Sequence, residues 1–198
     1  MKKVLVFMLF IACCAAPTMA QDDFNKNNFF VGYSNNQVDV SEDGVEDSST
    51  EREAFNGFNA SYTRNFSRFV GIKGDYAFHR KNFEVEDGNS TLRLKANLHN
   101  FVGGVQFKDN SNEKRFKPFA HVMAGVARSS IEFSNSLGTD FSDFDDSETG
   151  FSMVVGGGID FRVSRRVDIR AIQVDYNPTH LGGSFQQNFR IGLGVVIR

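Results

Sequence analysis

Six charged residues lie in segments that alternate polar and apolar side chains, on or beside the polar face. Charged side chains that share the polar face of neighbouring strands can pair with one another, and a buried charge requires such a partner. The placement of these residues therefore predicts a network of ion pairs and hydrogen bonds. The candidates are Lys73, Asp75, Arg93, Asp160, Arg170 and Arg190.

The residues that could carry out catalysis are few. The chain has four histidines, of which His99 and His121 fall on polar faces, whereas His180 falls in a predicted connection. No nucleophile and base can be paired from their spacing, although serine is plentiful. GxSxG, P-loop, HExxH and paired-cysteine motifs are absent. We therefore predict a protein that is not an enzyme, with no catalytic residues, no cofactor and no metal site.

The elements that must hold the charged residues are β-strands. Apolar and polar residues alternate with a period of two, the pattern of a strand with two different faces, and helical periodicity is absent. In the last segment, Phe189, Ile191 and Leu193 alternate with Asn188 and Arg190. Eight such segments are predicted, over residues 28–36, 55–64, 69–79, 91–108, 118–128, 150–162, 167–176 and 188–198.

Two of the eight segments change phase. In the fourth, the apolar set moves from the even-numbered Leu98 to the odd-numbered Phe101, which predicts a β-bulge near Asn100. In the seventh, Ile169 and Val174 have opposite parity. The phase of the seventh strand therefore stays open, and with it the direction of its charged side chains.

Short and long connections alternate, as they do in an up-and-down barrel that crosses an outer membrane. The turns at 65–68, 109–115 and 164–166 are short and carry or adjoin arginine and lysine. Longer connections are predicted at 37–53, 80–90, 134–149 and 177–187, and the first and third of these are strongly acidic. This charge pattern predicts basic turns in the periplasm and acidic loops outside the cell. Weak binding of Ca²⁺ or Mg²⁺ by the acidic loops is an alternative to simple solvation.

The first twenty residues have the features of a secretory signal peptide. Lys2 and Lys3 precede an apolar stretch over residues 4–16, and Ala20 is the small residue expected before a cleavage site. Both cysteines of the chain lie inside this segment. We therefore predict a signal peptide over 1–20 and one barrel domain over 21–198, without a disulfide.

Composition excludes several classes of protein. A net charge of -2 argues against nucleic-acid binding. Beyond the signal segment there is no run of 18 apolar residues, so the sequence does not predict a transmembrane helix. An aromatic content of 13% is unlike that of a disordered chain.

The polar faces are rich in glycine, serine and asparagine, with only scattered charges, which suits a narrow barrel interior better than a soluble surface. The apolar faces have about the length that a tilted strand needs to cross a bilayer. An eight-stranded barrel is just wide enough for side chains to fill it, which predicts a plugged interior. Two alternatives remain: a soluble periplasmic lipocalin-like barrel that binds a small apolar ligand, and a narrow ion-conducting porin.

Four stretches together resemble the family of eight-stranded bacterial outer-membrane β-barrel domains that includes the OmpA transmembrane domain. They are Val70 to Tyr76, Gly156 to Phe161, Ile169 to Tyr176, and Arg190 to Val196. The last strand of this family usually ends in an aromatic residue, whereas this chain ends in Ile197 and Arg198.

The resemblance implies an all-β, eight-stranded antiparallel up-and-down transmembrane barrel in the outer membrane. It also implies contact with outer-membrane lipid and lipopolysaccharide, and insertion by the barrel-assembly machinery. With acidic outer loops and a plugged interior, we expect a structural or surface-interaction role, with external surfaces contacted through the loops.

Overall fold

Eight antiparallel strands form a closed barrel in the computed structural model, which describes residues 24–39, 52–87, 90–111, 113–135, 146–181 and 183–198. Each strand pairs with the next, and β8 pairs with β1, so the sheet has no free edge. Within these residues no helix could cross a membrane. The strands are β1 (Asn27–Asp39), β2 (Arg52–Asn65), β3 (Val70–Asp87), β4 (Ser90–Lys108), β5 (Phe116–Asn135), β6 (Asp146–Arg162), β7 (Val167–Leu181) and β8 (Ser184–Ile197).

Side-chain direction follows the period of two, and the predicted eight-stranded up-and-down barrel is confirmed. In β8, Phe189, Ile191 and Leu193 are exposed on the outer face, whereas Asn188 and Arg190 are buried inside. Successive side chains of a strand point to opposite faces, so an alternating sequence gives an apolar exterior and a polar interior. The signal segment 1–20 lies outside the described residues.

Several strands run further than predicted. β3 and β4 form a hairpin that pairs as far as Asp87 and Ser90, and β7 and β8 pair as far as Leu181 and Ser184. The long connections predicted at 80–90 and 177–187 were therefore wrong. Backbone pairing continues there through segments rich in polar and charged residues. Between β7 and β8, Gly183 adopts a φ of 84° that permits a tight turn. Most of the two acidic connections, residues 40–51 and 136–145, lies outside the described residues.

The β-bulge predicted near Asn100 was also wrong. β4 keeps an unbroken register with both of its neighbours across this position. Leu98 points inward and is 7% exposed, because the interior near the loop end is apolar. It belongs to a cluster formed by Val38, Phe55, Leu98, Ala127 and Leu181.

The irregularity lies in β7 instead. Its register with β8 shifts between Arg170 and Gln173, and the two intervening residues, Ala171 and Ile172, are both exposed. This bulge resolves the open phase of the seventh strand. It lets the outward-facing Ile169 and Val174 differ in parity, and it turns both Arg170 and Gln173 toward the interior.

The turn end of the barrel is crossed by the segment that precedes β1. Phe24 forms an isolated bridge with Ser111, which follows β4, although β1 and β4 are not neighbours. Asn28 donates a hydrogen bond from Nδ2 to Oδ1 of Asn110 at 3.2 Å. These contacts tie the start of β1 to the β4–β5 turn and cover part of the interior from below.

Candidate functional site

The middle of the barrel holds a buried network of charged side chains, supplied by β3 to β8 and by Arg198. We call the loop end of the barrel its upper end and the turn end its lower end. Arg190 lies at the centre of the upper part of the network and is 1% exposed. Its Nη1 donates to Oδ1 of Asp75 at 2.9 Å, and its Nη2 and Nε donate to Oδ2 of Asp175 at 2.7 and 2.9 Å. One guanidinium thus joins carboxylates from β3 and β7 across the interior. Such charge-assisted pairs offset the desolvation of the buried ions.

Neutral and cationic side chains also surround these two carboxylates. Asn59 donates to Oδ1 of Asp75 at 2.9 Å, and Lys73 Nζ lies 3.6 Å from Oδ2 of the same residue. His121 Nε2 lies 2.9 Å from Oδ1 of Asp175. Gly156 is opposite Asp175 in the adjacent strand, and a Cβ at this glycine would overlap the carboxylate. The absence of a side chain at Gly156 therefore makes room for Asp175.

Arg170 connects the upper part of the network to the lower part. Its Nε and Nη2 donate to the two carboxylate oxygens of Asp160 at 2.8 and 3.2 Å, and its Nη1 donates to Oε1 of Gln173 at 2.7 Å. The guanidinium also lies between two aromatic rings, 4.2 Å from the centroid of Phe30 and 4.1 Å from that of Phe119. Gln173 continues the chain by donating to Oδ2 of Asp175 at 2.6 Å.

The lower part of the network lies near the turn end. Lys108 donates from Nζ to Oδ2 of Asp160 at 2.6 Å. Asp168 is approached by Lys117 Nζ at 3.4 Å, by Arg198 Nη2 at 3.2 Å and by Lys108 Nζ at 3.8 Å. All of these side chains except that of Arg198 belong to residues with at most 4% exposure.

Basic side chains outnumber carboxylates in the network. Six cationic side chains, Lys73, Lys108, Lys117, Arg170, Arg190 and Arg198, contact four carboxylates, Asp75, Asp160, Asp168 and Asp175. Side chains that are linked by ion pairs and hydrogen bonds thus occupy the cross-section of the barrel. An apolar cluster lies on their loop side, and the segment before β1 lies on their turn side. Chemically, this arrangement can hold the strands together and obstruct passage through the barrel.

Five of the six predicted network residues are brought together in this interior: Lys73, Asp75, Asp160, Arg170 and Arg190. Arg93 lies in β4, but its side chain is outside the part of the chain whose side chains are described.

Sequence reasoning missed several members of the network. They are Lys108, Lys117, Asp168, Gln173 and Arg198, whereas Asp175 was a candidate whose direction depended on the open phase of the seventh strand. Parity would have identified Lys108, because it continues the inward series of Asn100 and Gln106 in β4. Lys117 lies between the predicted turn 109–115 and the predicted segment 118–128, where the basic residues were expected to belong to the turn, yet it faces inward as the second residue of β5.

The histidines do not form a catalytic arrangement in the described residues. His121 faces the interior as predicted, but His99 does not: its ring packs against Phe78 on the outer face, at a centroid distance of 4.8 Å. His79 Nε2 lies 2.8 Å from Ser34 Oγ, and its Nδ1 has no hydrogen-bond partner among the described residues. This serine and histidine therefore lack a third group that would orient the base, and both are buried. No cluster of three metal-ligating side chains occurs in the same residues.

Comparison with known proteins identifies the fold. A family model for the outer membrane protein beta-barrel domain matches residues 6–196. The structure resembles Ail, the attachment invasion locus protein of Yersinia pestis, at 20% identity and a TM-score of 0.54 over 86% of this chain and 97% of that chain. It also resembles Neisserial surface protein A, at 13% identity and a TM-score of 0.56 over 87% and 97%. No curated protein sequence matches.

The apolar exterior and the ion-paired interior agree with this family and exclude the soluble lipocalin-like alternative, in which the apolar residues would face inward. The chain belongs to the outer membrane protein beta-barrel domain family and is a β-barrel of the bacterial outer membrane.

Proposed function

We propose that this barrel is a non-enzymatic surface protein, which keeps its interior closed and acts through the connections at its extracellular end. The observation that carries the proposal is the continuous chain of contacts that crosses the interior. It runs through Lys117, Asp168, Lys108, Asp160, Arg170, Gln173, Asp175, Arg190 and Asp75.

This chain of contacts argues against the narrow porin. An ion that entered the barrel would have to separate Arg190 from Asp75 or Arg170 from Asp160, and each separation would remove charge-assisted hydrogen bonds from buried ions. A hydrogen bond to a charged group contributes about 1.5–3 kcal/mol, so each separation is costly. A conducting interior would instead need a continuous wet path between side chains that are not bonded to each other.

The charge of the outer connections indicates what kind of surface they would contact. Residues 37–53 contain seven acidic residues and one arginine: Asp39, Glu42, Asp43, Glu46, Asp47, Glu51 and Glu53, with Arg52. Ail has been solved in complex with the heparin analogue sucrose octasulfate, a polyanion. Acidic loops would repel such a ligand, so we propose that this protein favours cationic surfaces. Outer-membrane lipid, lipopolysaccharide and the barrel-assembly machinery are proposed as its other partners.

Two measurements on the folded protein test the proposal. Single-channel recording in planar bilayers is expected to show no steady conductance, and a large stable conductance would contradict the closed interior. Binding to polylysine-coated and heparin-coated surfaces is expected to favour polylysine and to weaken with salt.

The loop variant neutralises Glu42, Asp43, Glu46, Asp47 and Glu51 to the corresponding amides. It is expected to lose most of the polylysine binding. A control variant that exchanges aspartate and glutamate at the same positions keeps the charge and should keep the binding. Equal loss in both variants, preference for heparin, or release of fatty acid from membrane lipid by the purified protein would overturn the proposal.

A further inference from the structure

The turn end of the barrel carries a second charged feature, which is separate from the interior network. Arg115 and Arg162 lie side by side, because Arg162 N donates a backbone hydrogen bond to Arg115 O at 2.8 Å. With Glu113, Val163, Ser164 and Arg165, they line a polar cavity of about 550 Å³ between the β4–β5 and β6–β7 turns. Arg166 follows in the same turn. We call Arg115, Arg162, Arg165 and Arg166 the arginine rim.

The arginine rim has little neutralising charge around it. The side chains of Arg115, Arg165 and Arg166 form no ion pair within the described residues, and Arg162 donates only to Ser164 O, at 3.4 Å. Glu113 is the acidic residue that lines the cavity.

Two other carboxylates near the turn end are already engaged. Asp168 lies opposite Arg162 in the sheet, but it is buried and contacted by Lys117 and Arg198. Asp109 is paired with two other basic residues. Arg68 Nε lies 2.9 Å from its Oδ1, and Lys114 Nζ lies 3.0 Å from its Oδ2. The hydrogen bonds from Arg68 are the largest influence that holds the pKa of Asp109 well below its usual range. Asp109 therefore stays ionised and committed to these two partners, and does not offset the charge of the arginine rim.

Apolar side chains adjoin the arginines on the outer surface. Phe116 follows Arg115 and is 50% exposed, Phe161 precedes Arg162 and is 44% exposed, and Val163 is 63% exposed. The two phenylalanine rings pack together with centroids 5.5 Å apart. On a barrel that lies in a bilayer, such side chains contact acyl chains, and the basic residues next to them lie at the level of the headgroups.

We propose that the arginine rim binds the phosphate of an anionic phospholipid in the periplasmic leaflet. Short turns of outer-membrane barrels lie on the periplasmic side, which places the rim at that leaflet. Guanidinium groups bind phosphate through paired N–H donors, and several unpaired arginines around one polar cavity present such donors together. The adjoining phenylalanines favour a lipid over a soluble polyanion such as a peptidoglycan fragment, because a soluble ligand gains nothing from exposed apolar side chains.

Native mass spectrometry of the detergent-solubilised, folded full chain tests this proposal. The probes are dioleoylphosphatidylglycerol, dioleoylphosphatidylcholine, inorganic phosphate and a soluble muropeptide. A basic residue at a membrane surface contributes about a fivefold factor in affinity. We expect phosphatidylglycerol to bind at least about tenfold more tightly than each of the other probes.

The variant Arg115→Gln with Arg165→Gln and Arg166→Gln is expected to lose this preference. The matched control removes three outward-facing arginines near the loop end, as Arg52→Gln, Arg80→Gln and Arg128→Gln, and should keep it. A folded barrel is recognised in each variant by its anomalous gel mobility before heating.

Four results would overturn the proposal: equal binding of the two lipids, inorganic phosphate binding as tightly as phosphatidylglycerol, a muropeptide binding in preference to lipid, or equal losses in the two triple variants. If the rim variant does not fold, competition in the wild-type protein decides. Salt that fails to weaken phosphatidylglycerol binding would then count against the arginine rim.

Discussion

Replacing Arg170 by lysine tests whether the geometry of the network, rather than its charge alone, stabilises the barrel. Lysine keeps the positive charge opposite Asp160 but replaces a flat fork of donors by a single ammonium group. In the wild-type protein the guanidinium donates twice to Asp160 and once to Gln173, while it lies between the rings of Phe30 and Phe119. Lysine can keep at most one of these three hydrogen bonds at a time.

The expected cost follows from the contacts that are lost. A hydrogen bond to a charged group contributes about 1.5–3 kcal/mol, and a desolvated cation–π contact about 2 kcal/mol or more. Asp160 remains paired with Lys108 at 2.6 Å, so its charge is not left alone. Because the ammonium group recovers part of the loss, we expect the free energy of unfolding to fall by about 2–4 kcal/mol.

Urea unfolding of the folded barrel in lipid vesicles measures this change, with folded and unfolded forms separated by their gel mobility. Arg128→Lys is the matched control. Arg128 is exposed near the loop end and donates one hydrogen bond to Ser147 Oγ at 3.2 Å, so its replacement should change the free energy by less than about 0.5 kcal/mol. Equal costs for the two replacements would refute the argument that the fork and the ring contacts of Arg170 matter.

Three further predictions use the same unfolding or mobility assays. Gly156→Ala should destabilise the barrel by about 1–3 kcal/mol, because the added methyl overlaps both the Asp175 carboxylate and the β7 backbone at Val174 O and Asp175 Cα, whereas Gly74→Ala, with nothing within 4 Å of the new Cβ, should cost less than about 0.5 kcal/mol. Equal costs would show that the methyl overlap is irrelevant. Asp109→Asn should cost about 0.5–1 kcal/mol at pH 7. The folded-state pKa of Asp109 is lowered, so the wild-type advantage exists above the unfolded pKa of about 4 and shrinks as the pH falls through the folded value; an advantage that grows in acid would contradict this. Deleting Ala171 removes the extra residue of the β7 bulge and leaves Ile169, Ile172 and Val174 outward and Arg170, Gln173 and Asp175 inward in plain alternation, so the variant should keep the mobility of the folded form; loss of that mobility would show that the bulge itself, and not only the direction of the side chains, is needed.

The direction of a side chain was predicted correctly from the sequence where polar and apolar residues alternate regularly along the strand. Lys73, Asp75 and Arg190 lie in regular alternation, so their inward direction follows from parity alone. Leu98 misled the same reasoning, because it is apolar and yet faces inward. A barrel interior that holds apolar side chains as well as polar ones cannot be recognised by a rule that equates apolar with outward.

The contacts between individual residues of the network could not be predicted from the sequence, for a different reason. Arg190 and Asp75 are 115 positions apart in the chain, and they meet only because the barrel closes and the strands tilt. Parity gives the face of a side chain but not its height or its position around the barrel. Asp168 and Lys117 similarly meet from strands that are not neighbours.

The sequence alone determined the class of the fold, the number of strands, the alternation of faces and the asymmetry of charge between the turns and the loops, because each of these depends on local spacing. Only the tertiary structure decided where the β7 bulge lies, which carboxylate each cation contacts and which arginines are left without a carboxylate at the turn end. Those properties depend on register and closure, which bring distant strands together, and no local pattern of residues encodes them.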